Sequence, residues 1–180
     1  MLYLSKAQML LNQRLFTLPP DEIRAAGTQN LTYGSLSTKG LSQMATTIKT
    51  LFEDTVYGFD LGCGDGELIY NLSKALPDST WEGVEISDWR VSVATRPVTI
   101  WAGDMLTENY RPYNVLHADN LCLEDHIAEK LEEKIVREFK GLYITYRTPE
   151  NLLFLKKARY LKTVEIETTW AKHPIKFYEI

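Results

Sequence analysis

Val56–Tyr70 reads VYGFDLGCGDGELIY, and this stretch decides the fold. Val56, Tyr57, Phe59 and Leu61 form a short apolar run of the kind a buried strand needs. The run ends in three glycines at alternate positions, Gly62, Gly64 and Gly66. Leu68, Ile69, Leu72, Ala75 and Leu76 then fall on one face of a helix. Strand, glycine turn and helix make the first unit of a doubly wound sheet, whose ligands sit at the carboxyl ends of the strands. Glycine there lets the backbone approach a ligand and adopt conformations closed to other residues.

The spacing discriminates between ligands. A dinucleotide fingerprint, G-x-G-x-x-G, offers a helix N-terminus to a pyrophosphate. Here the third glycine comes one residue early, and Glu67 fills its slot. Asp60 precedes the first glycine by two residues. Carboxylates at that turn suit a cationic ligand better than a polyphosphate. The D-x-G-x-G-x-G pattern resembles the first motif of class I S-adenosylmethionine-dependent methyltransferases.

Outward from this unit the chain reads as one α/β domain. Ser5–Leu15 and Asp21–Ala26 are predicted helices, separated by Pro19-Pro20. A polar loop follows, and Ser37 is a good N-cap for a helix running through Leu41 to Phe52. Thr80–Ile86 is the second parallel strand, with Glu85 near its tip, where an acid can take ribose hydroxyls or simply face solvent. Only Ser87–Pro97 separate it from Val98–Ala102, so a full crossover helix hardly fits. Trp89 in that gap either stacks on adenine or patches the uncovered sheet. Asp104-Met105 follow the third strand and can bind an adenine amino group and cover its ring.

Tyr113–Ala118 is the fourth strand, tipped by Asp119-Asn120, and Glu124–Phe139 is an amphipathic helix whose Glu129, Glu132 and Glu133 are read as solvated. Leu142–Tyr146 is the fifth strand, Glu150–Leu161 a helix, and Thr163–Thr169 with Ile175–Ile180 a closing antiparallel hairpin. His117 reads as a core residue and His173 as an exposed turn residue. The expected architecture is a doubly wound, mostly parallel seven-stranded sheet with a C-terminal hairpin. Residues 1–36 supply small N-terminal helices and a covering loop, and residues 37–180 the main domain.

The 180 residues carry a net charge of −4, so no global basic field draws the chain to nucleic acid or anionic membrane. Two cysteines, Cys63 and Cys122, give neither a metal-site spacing nor a disulfide framework. No apolar run is long enough to span a bilayer, and the N-terminus lacks a signal-peptide pattern. An intracellular setting, nucleus or cytoplasm, is expected.

Methyl transfer is largely a matter of aligning nucleophile, methyl carbon and sulfur. An amine acceptor must also arrive neutral, although a lysine has an unperturbed pKa of about 10.4. Oxygens at Asp119 and Asn120 are placed to orient such an amine, or else to cap the helix that follows. Trp170, Phe177 and Tyr178 either wall an amine channel or belong to the core.

Four stretches together resemble one family. They are Thr32-Tyr33-Gly34-Ser35, Phe59–Glu67, Asp119–Leu123 with its following helix, and Thr169-Trp170 with Pro174 and Phe177-Tyr178. In order and spacing they look like the disruptor-of-telomeric-silencing family of non-SET histone lysine methyltransferases. The resemblance implies S-adenosylmethionine as cofactor and a nucleosomal histone lysine as acceptor. It implies that Tyr33 and Gly34 cover the cofactor and that Asp60, Gly62, Gly64 and Glu67 line it. Glu85 would take the ribose, and Asp104 and Met105 would flank the adenine. Asp119 and Asn120 would lie beside the methyl group, while Trp170, Phe177 and Tyr178 would serve the lysine channel.

There are departures. The family has an acid where Ser35 stands, paired asparagines and a phenylalanine where Asp119-Asn120-Leu121 stand, and a tyrosine where Phe177 stands. A long basic DNA-binding extension is absent, and Lys156, Lys157, Arg159 and Lys162 are either a small DNA-facing patch or a solvated surface. The compaction suits a minimal microbial or viral version. A broader protein or small-molecule amine methyltransferase, and a cofactor- or partner-binding module without turnover, are the competing readings.

Overall fold

A computed structural model describes residues 18–32 and 34–180. The expected helix at Ser5–Leu15 and the side chain of Tyr33 lie outside the described residues. The elements are α1 (Pro20–Ala26), α2 (Thr38–Leu51), β1 (Tyr57–Leu61), α3 (Glu67–Ala75), β2 (Thr80–Glu85), α4 (Asp88–Ser92) and β3 (Thr99–Ala102). They continue as β4 (Val115–Ala118), α5 (Asp125–Glu138), β5 (Leu142–Thr145), α6 (Leu152–Lys157), β6 (Arg159–Glu167) and β7 (Lys172–Glu179). The strands form one sheet in the order β3-β2-β1-β4-β5-β7-β6. β1 to β5 run parallel, and β7 is antiparallel to both its neighbours. Order reverses between β1 and β4, which puts the topological switch point beside the glycine turn.

Strand alternation divides the core into two layers. Leu142, Ile144, Ile175 and Phe177 join Met44, Ile48, Ile69 and Leu72 beneath α2 and α3. Phe59, Leu61, Leu116, Tyr143 and Tyr178 join Leu131, Ile135 and Phe154 beneath α5 and α6. Gly58 pairs with Trp81 of β2, and a Cβ there would come within 2.2 Å of the indole. The strand must therefore carry glycine for Trp81 to lie across it. Ser37 caps α2 as expected, accepting the Gly40 amide at 3.1 Å.

The β2–β3 connection is as short as its length requires, with a five-residue α4. A second crossover helix is missing between β3 and β4. Its place on the sheet is filled by rings: Phe59 stacks on Tyr113 at 4.3 Å and on Trp101 at 5.5 Å, with Tyr110 tilted against it. Ring pairs of this kind add roughly 0.5–1.5 kcal/mol each beyond area burial.

Two expectations are corrected here. The helix expected over Glu150–Leu161 stops at Lys157, because Ala158 closes it on the Phe154 carbonyl and Arg159 already pairs with Glu179 in the sheet. Glu132 is buried rather than solvated. Its Oε2 accepts the amides of Glu150 and Asn151 at 3.0 and 2.8 Å, anchoring the start of α6. Among the described residues, no helix is long and apolar enough to cross a membrane.

Candidate cofactor and acceptor site

The glycine turn is shaped by three positive φ angles, 86° at Gly62, 58° at Gly64 and 77° at Gly66. These belong to the left-handed region that favours glycine. The Gly62 and Cys63 amides donate to the Val84 carbonyl at 2.8 and 3.0 Å, which binds the turn to the end of β2. A Cβ on Gly62 would meet nothing within 4 Å, since the residue faces a cavity. A Cβ on Gly66 would run into Val98 at 2.6 Å, so that glycine serves packing instead.

The cavity has a volume of about 640 Å³ and opens at the carboxyl ends of β1, β2, β3 and β4. That is the size range of a small-molecule or cofactor site, roughly 300–1,000 Å³. Gly62, Glu85, Asp104, Met105 and Asp119 all border it, as expected from sequence. Glu85 is buried, and one oxygen accepts the Gly64 amide at 2.9 Å while the other accepts the Ser87 amide at 3.0 Å and faces Arg90 at 3.3 Å. Asp104 accepts the Leu106 amide at 2.9 Å, which fixes the loop that carries Met105.

The roof is α1 with the segment after it, and each is fastened to the sheet side by a side chain. Glu22 accepts the Ser87 hydroxyl and the Trp89 amide, the latter at 3.0 Å. Asn30 accepts the Glu124 amide at 2.9 Å. Gly34 borders the same space.

A second, narrow cavity of about 20 Å³ adjoins the first. Asp60, Cys63, His117, Tyr146 and Asp119 border it, and Gly34, Gly62 and Asp119 border both cavities. Desolvation holds the Asp119 carboxyl above the usual aspartate range, and burial pushes the Cys63 thiol and the Tyr146 hydroxyl up. The outer wall is sewn to the hairpin: the Thr169 amide donates to the Ser35 carbonyl at 2.9 Å, Leu36 bridges Thr168, and the Trp170 ring lies against Gly34.

Other predicted residues lie elsewhere. Gly64 borders neither cavity, its amide being spent on Glu85. Glu67 points outward and pairs with Arg96 at 2.7 Å. Asn120 is buried, and its Oδ1 accepts from Thr145 Oγ1, Tyr146 N and Arg147 N at 2.9, 3.0 and 3.3 Å. It holds the tip of β5 and borders neither cavity. Phe177 and Tyr178 sit opposite Ile144 and Tyr143, in the middle of the sheet and on its two faces, and both are core. The antiparallel direction of β7 is the reason: its first residues, not its last, lie at the site. Trp89 borders neither cavity, and Ile86 lines the space instead.

Sequence reasoning missed Glu22, Arg90, Tyr146 and His173 as site or supporting residues. His173 is in β7 rather than an exposed turn, and its Nε2 donates to the Tyr146 carbonyl. Arg90 had only a weak signal, a cation five residues after Glu85 across the strand-to-helix turn. Glu22 had none, because its partners are distant in sequence. Lys156, Lys157 and Arg159 are exposed at the amino-terminal edge of the parallel strands, the far end of the sheet from the cavities.

The strand order, the glycine turn and the cavity at the switch point define the class I methyltransferase fold. Among solved structures, the chain is similar to magnesium protoporphyrin IX methyltransferase from Synechocystis PCC 6803 with bound S-adenosylmethionine. That alignment has 14% identity, a TM-score of 0.58, and 99% of each chain covered. It is similar also to the mitomycin 7-O-methyltransferase MmcR, at 14% identity and a TM-score of 0.55, over 78% of this chain and 52% of the other. At such identities the likeness is one of fold. No family model and no curated protein matches the sequence.

Proposed function

We propose that the protein is an S-adenosylmethionine-dependent N-methyltransferase whose acceptor is a slender primary amine, a lysine side chain. The observation that carries this reading is the position of Asp119, a residue that borders both the large cavity and the narrow one. The large cavity fits the cofactor: Glu85 and Asp104 offer carboxylates to ribose and adenine, Met105 an apolar cover, and Gly62 an unobstructed backbone. S-adenosylmethionine supplies a methyl group already activated on a sulfonium.

The narrow cavity supports the choice of acceptor. Its volume is that of about one water molecule, room for a terminal amino group and not for a ring, and the carboxylates of Asp60 and Asp119 in its lining favour a cation. Among the described residues, no lysine or arginine borders it. The residues do the work of alignment: Gly34–Leu36 wall the narrow cavity, Trp170 backs Gly34 from outside it, and Asp119 faces the acceptor nitrogen.

The histone-directed family resemblance, carried by Gly34, Asp60–Gly66 and the Trp170–Tyr178 ending, supports a histone lysine in the nucleosome as the acceptor. The exposed Lys156, Lys157, Arg159 and Lys162 are the candidates for DNA contact.

The test is transfer of labelled methyl to nucleosomes, to free core histones and to unrelated lysine-bearing proteins, with the modified residue located by mass spectrometry. Label on one histone lysine supports the full reading. Equal label on unrelated proteins leaves a broad amine methyltransferase. Label on hydroxyl compounds but on no amine overturns the choice of acceptor. Cofactor binding without any transfer overturns the enzymatic reading.

A further inference from the structure

Three side chains that border the narrow cavity form a continuous hydrogen-bonded chain. His117 Nδ1 lies 2.7 Å from Asp60 Oδ1, and His117 Nε2 lies 3.1 Å from Tyr146 Oη. All three residues are buried. They come from β1, from β4 and from the residue after β5, so the register of three adjacent strands brings them together. A core histidine needs a hydrogen-bond partner for each ring nitrogen, and a pair of backbone carbonyls or waters would serve. Here the partners are a carboxylate and a phenol that both border the acceptor cavity.

We propose that Asp60, His117 and Tyr146 are a proton relay that takes the proton from the acceptor amine. The inference rests on the amine reading above. With Asp60 ionised and able only to accept, the His117 proton resides on Nδ1, and Nε2 accepts the Tyr146 hydroxyl. The acceptor ammonium gives one proton to Tyr146 Oη as Tyr146 passes its own to His117 Nε2. The phenol is neutral before and after. The amine is left with a lone pair, and the proton resides on an imidazolium held between carboxylates. Tyr146 stays protonated on its own, since burial pushes its hydroxyl up, so it conducts the proton rather than storing it.

Two carboxylates and a phenol surround the His117 ring. Facing His117 are Asp60 from β1, Asp119 beyond the tip of β4, and the neutral Tyr146 ring edge-on at 5.3 Å. Cys63 borders the same cavity and stays a thiol. His173, the other imidazole nearby, stacks on the far part of Tyr146 at 5.9 Å and spends its Nε2 proton on the Tyr146 carbonyl. Asn120 fixes Tyr146 through its amide, which makes Asn120 a positioning residue for the relay.

The test combines kinetics and spectroscopy on the full chain. Single-turnover methyl transfer to core histones or nucleosomes is followed from about pH 6.5 to 10 for wild type, Tyr146→Phe and His117→Gln, with cofactor affinity measured by calorimetry. Cofactor affinity is expected to stay within about threefold. General base catalysis contributes about 10²–10⁴-fold, so the variants are expected to fall at least tenfold behind near pH 7.5. The gap closes as pH approaches the amine's own value of about 10.4, where no acceptor for the proton is needed. Nitrogen-15 NMR of the neutral His117 ring in the unloaded protein is expected to show Nδ1 protonated and Nε2 bare.

A constant deficit at every pH makes the role structural and overturns the relay. Unchanged variant rates overturn it too, as does an Nε2-protonated ring with bare Nδ1 throughout. Tyr146→Phe keeps the ring and its packing, so a misfolded His117→Gln does not remove the test. A wild type that transfers to no amine overturns the amine reading and the relay together. A working wild type with unaltered variants overturns the relay alone.

Discussion

The Gly64 amide donates to the Glu85 carboxylate at 2.9 Å, joining the glycine turn after β1 to the tip of β2. The same carboxylate accepts the Ser87 amide and faces the buried Arg90 guanidinium. One acid thus holds the turn, starts α4 and borders the large cavity.

Glu85→Ala therefore damages two things. It strips a buried guanidinium of its carboxylate, which costs about 3–5 kcal/mol when one partner of such a pair is removed. Glu85→Gln keeps an oxygen for Gly64 and separates the roles: it loses the charge that would strengthen hydrogen bonds to ribose. A charge-assisted hydrogen bond contributes about 1.5–3 kcal/mol, so Kd for S-adenosylmethionine is expected to rise about tenfold or more. Calorimetry reads the affinity, and urea unfolding reads the stability. Unchanged cofactor affinity in Glu85→Gln removes Glu85 from the ribose assignment.

The strand–turn–helix unit was legible because each of its signals is local: an apolar run, glycines at fixed offsets, a helical stripe. The same holds for the short β2–β3 connection and for Asp104, Met105, Gly62 and Asp119 around the cavity. For Phe177 and Tyr178 the sequence leaves channel wall and core both open, because the choice depends on strand direction, which residue type does not report. Asn120 was misread because its three donors lie on β5 and just beyond it, reached only through strand pairing. Glu67 stands in the motif, yet the turn aims it at Arg96. The Tyr146–His117–Asp60 chain was invisible for the same reason, being assembled by register across three strands.

Gly66→Val is expected to unfold the turn rather than merely block a ligand. The residue has a φ of 77°, and a Cβ would meet Val98 at 2.6 Å. Left-handed backbone costs an L-residue about 1–2 kcal/mol, and overpacking a core about 1–3 more. Thermal denaturation of the unloaded protein should show the loss. Gly62→Ala carries the backbone cost without a steric clash, since nothing lies within 4 Å. Its deficit should appear mainly in cofactor affinity, and a Gly62→Ala protein that binds cofactor normally would mean that the open side of Gly62 is not the binding face.

Trp170 and Gly34 form a matched pair. A Cβ on Gly34 would come within 2.3 Å of the indole, while the ring itself remains 45% exposed. Gly34→Ala should displace the ring, and Trp170→Ala should remove it. Both are expected to raise KM for the protein acceptor several-fold while leaving cofactor affinity near wild type. Trp170→Ala should cost little stability, because so much of the ring faces solvent. Steady-state kinetics with the acceptor varied reads the effect. An unchanged acceptor KM in both variants would detach this wall from acceptor binding.

Asp119 and Asn120 are adjacent, and their substitutions should part company. Asn120→Ala leaves the Thr145 hydroxyl and two amides without their buried acceptor, each costing about 1–3 kcal/mol. Its main effect is expected in stability. Asp119→Asn should do the opposite. Burial holds the Asp119 carboxyl above the usual range, so the folded protein binds its proton more readily than the unfolded chain. That contribution is fully present below the ordinary aspartate value of about 3.9 and is lost as pH rises through the raised folded value, leaving a charged, desolvated group at neutral pH. Asparagine carries no such charge and keeps an oxygen for the Leu121 amide. Asp119→Asn is thus expected to be as stable as wild type or more so at pH 7, with the difference vanishing toward pH 4, and to lose methyl transfer about tenfold or more as the carboxylate facing the acceptor is neutralised. Denaturation at several pH values, beside single-turnover transfer, reads both. Lower stability at pH 7 with full activity would show that Asp119 is a structural acid and that the acceptor lies elsewhere.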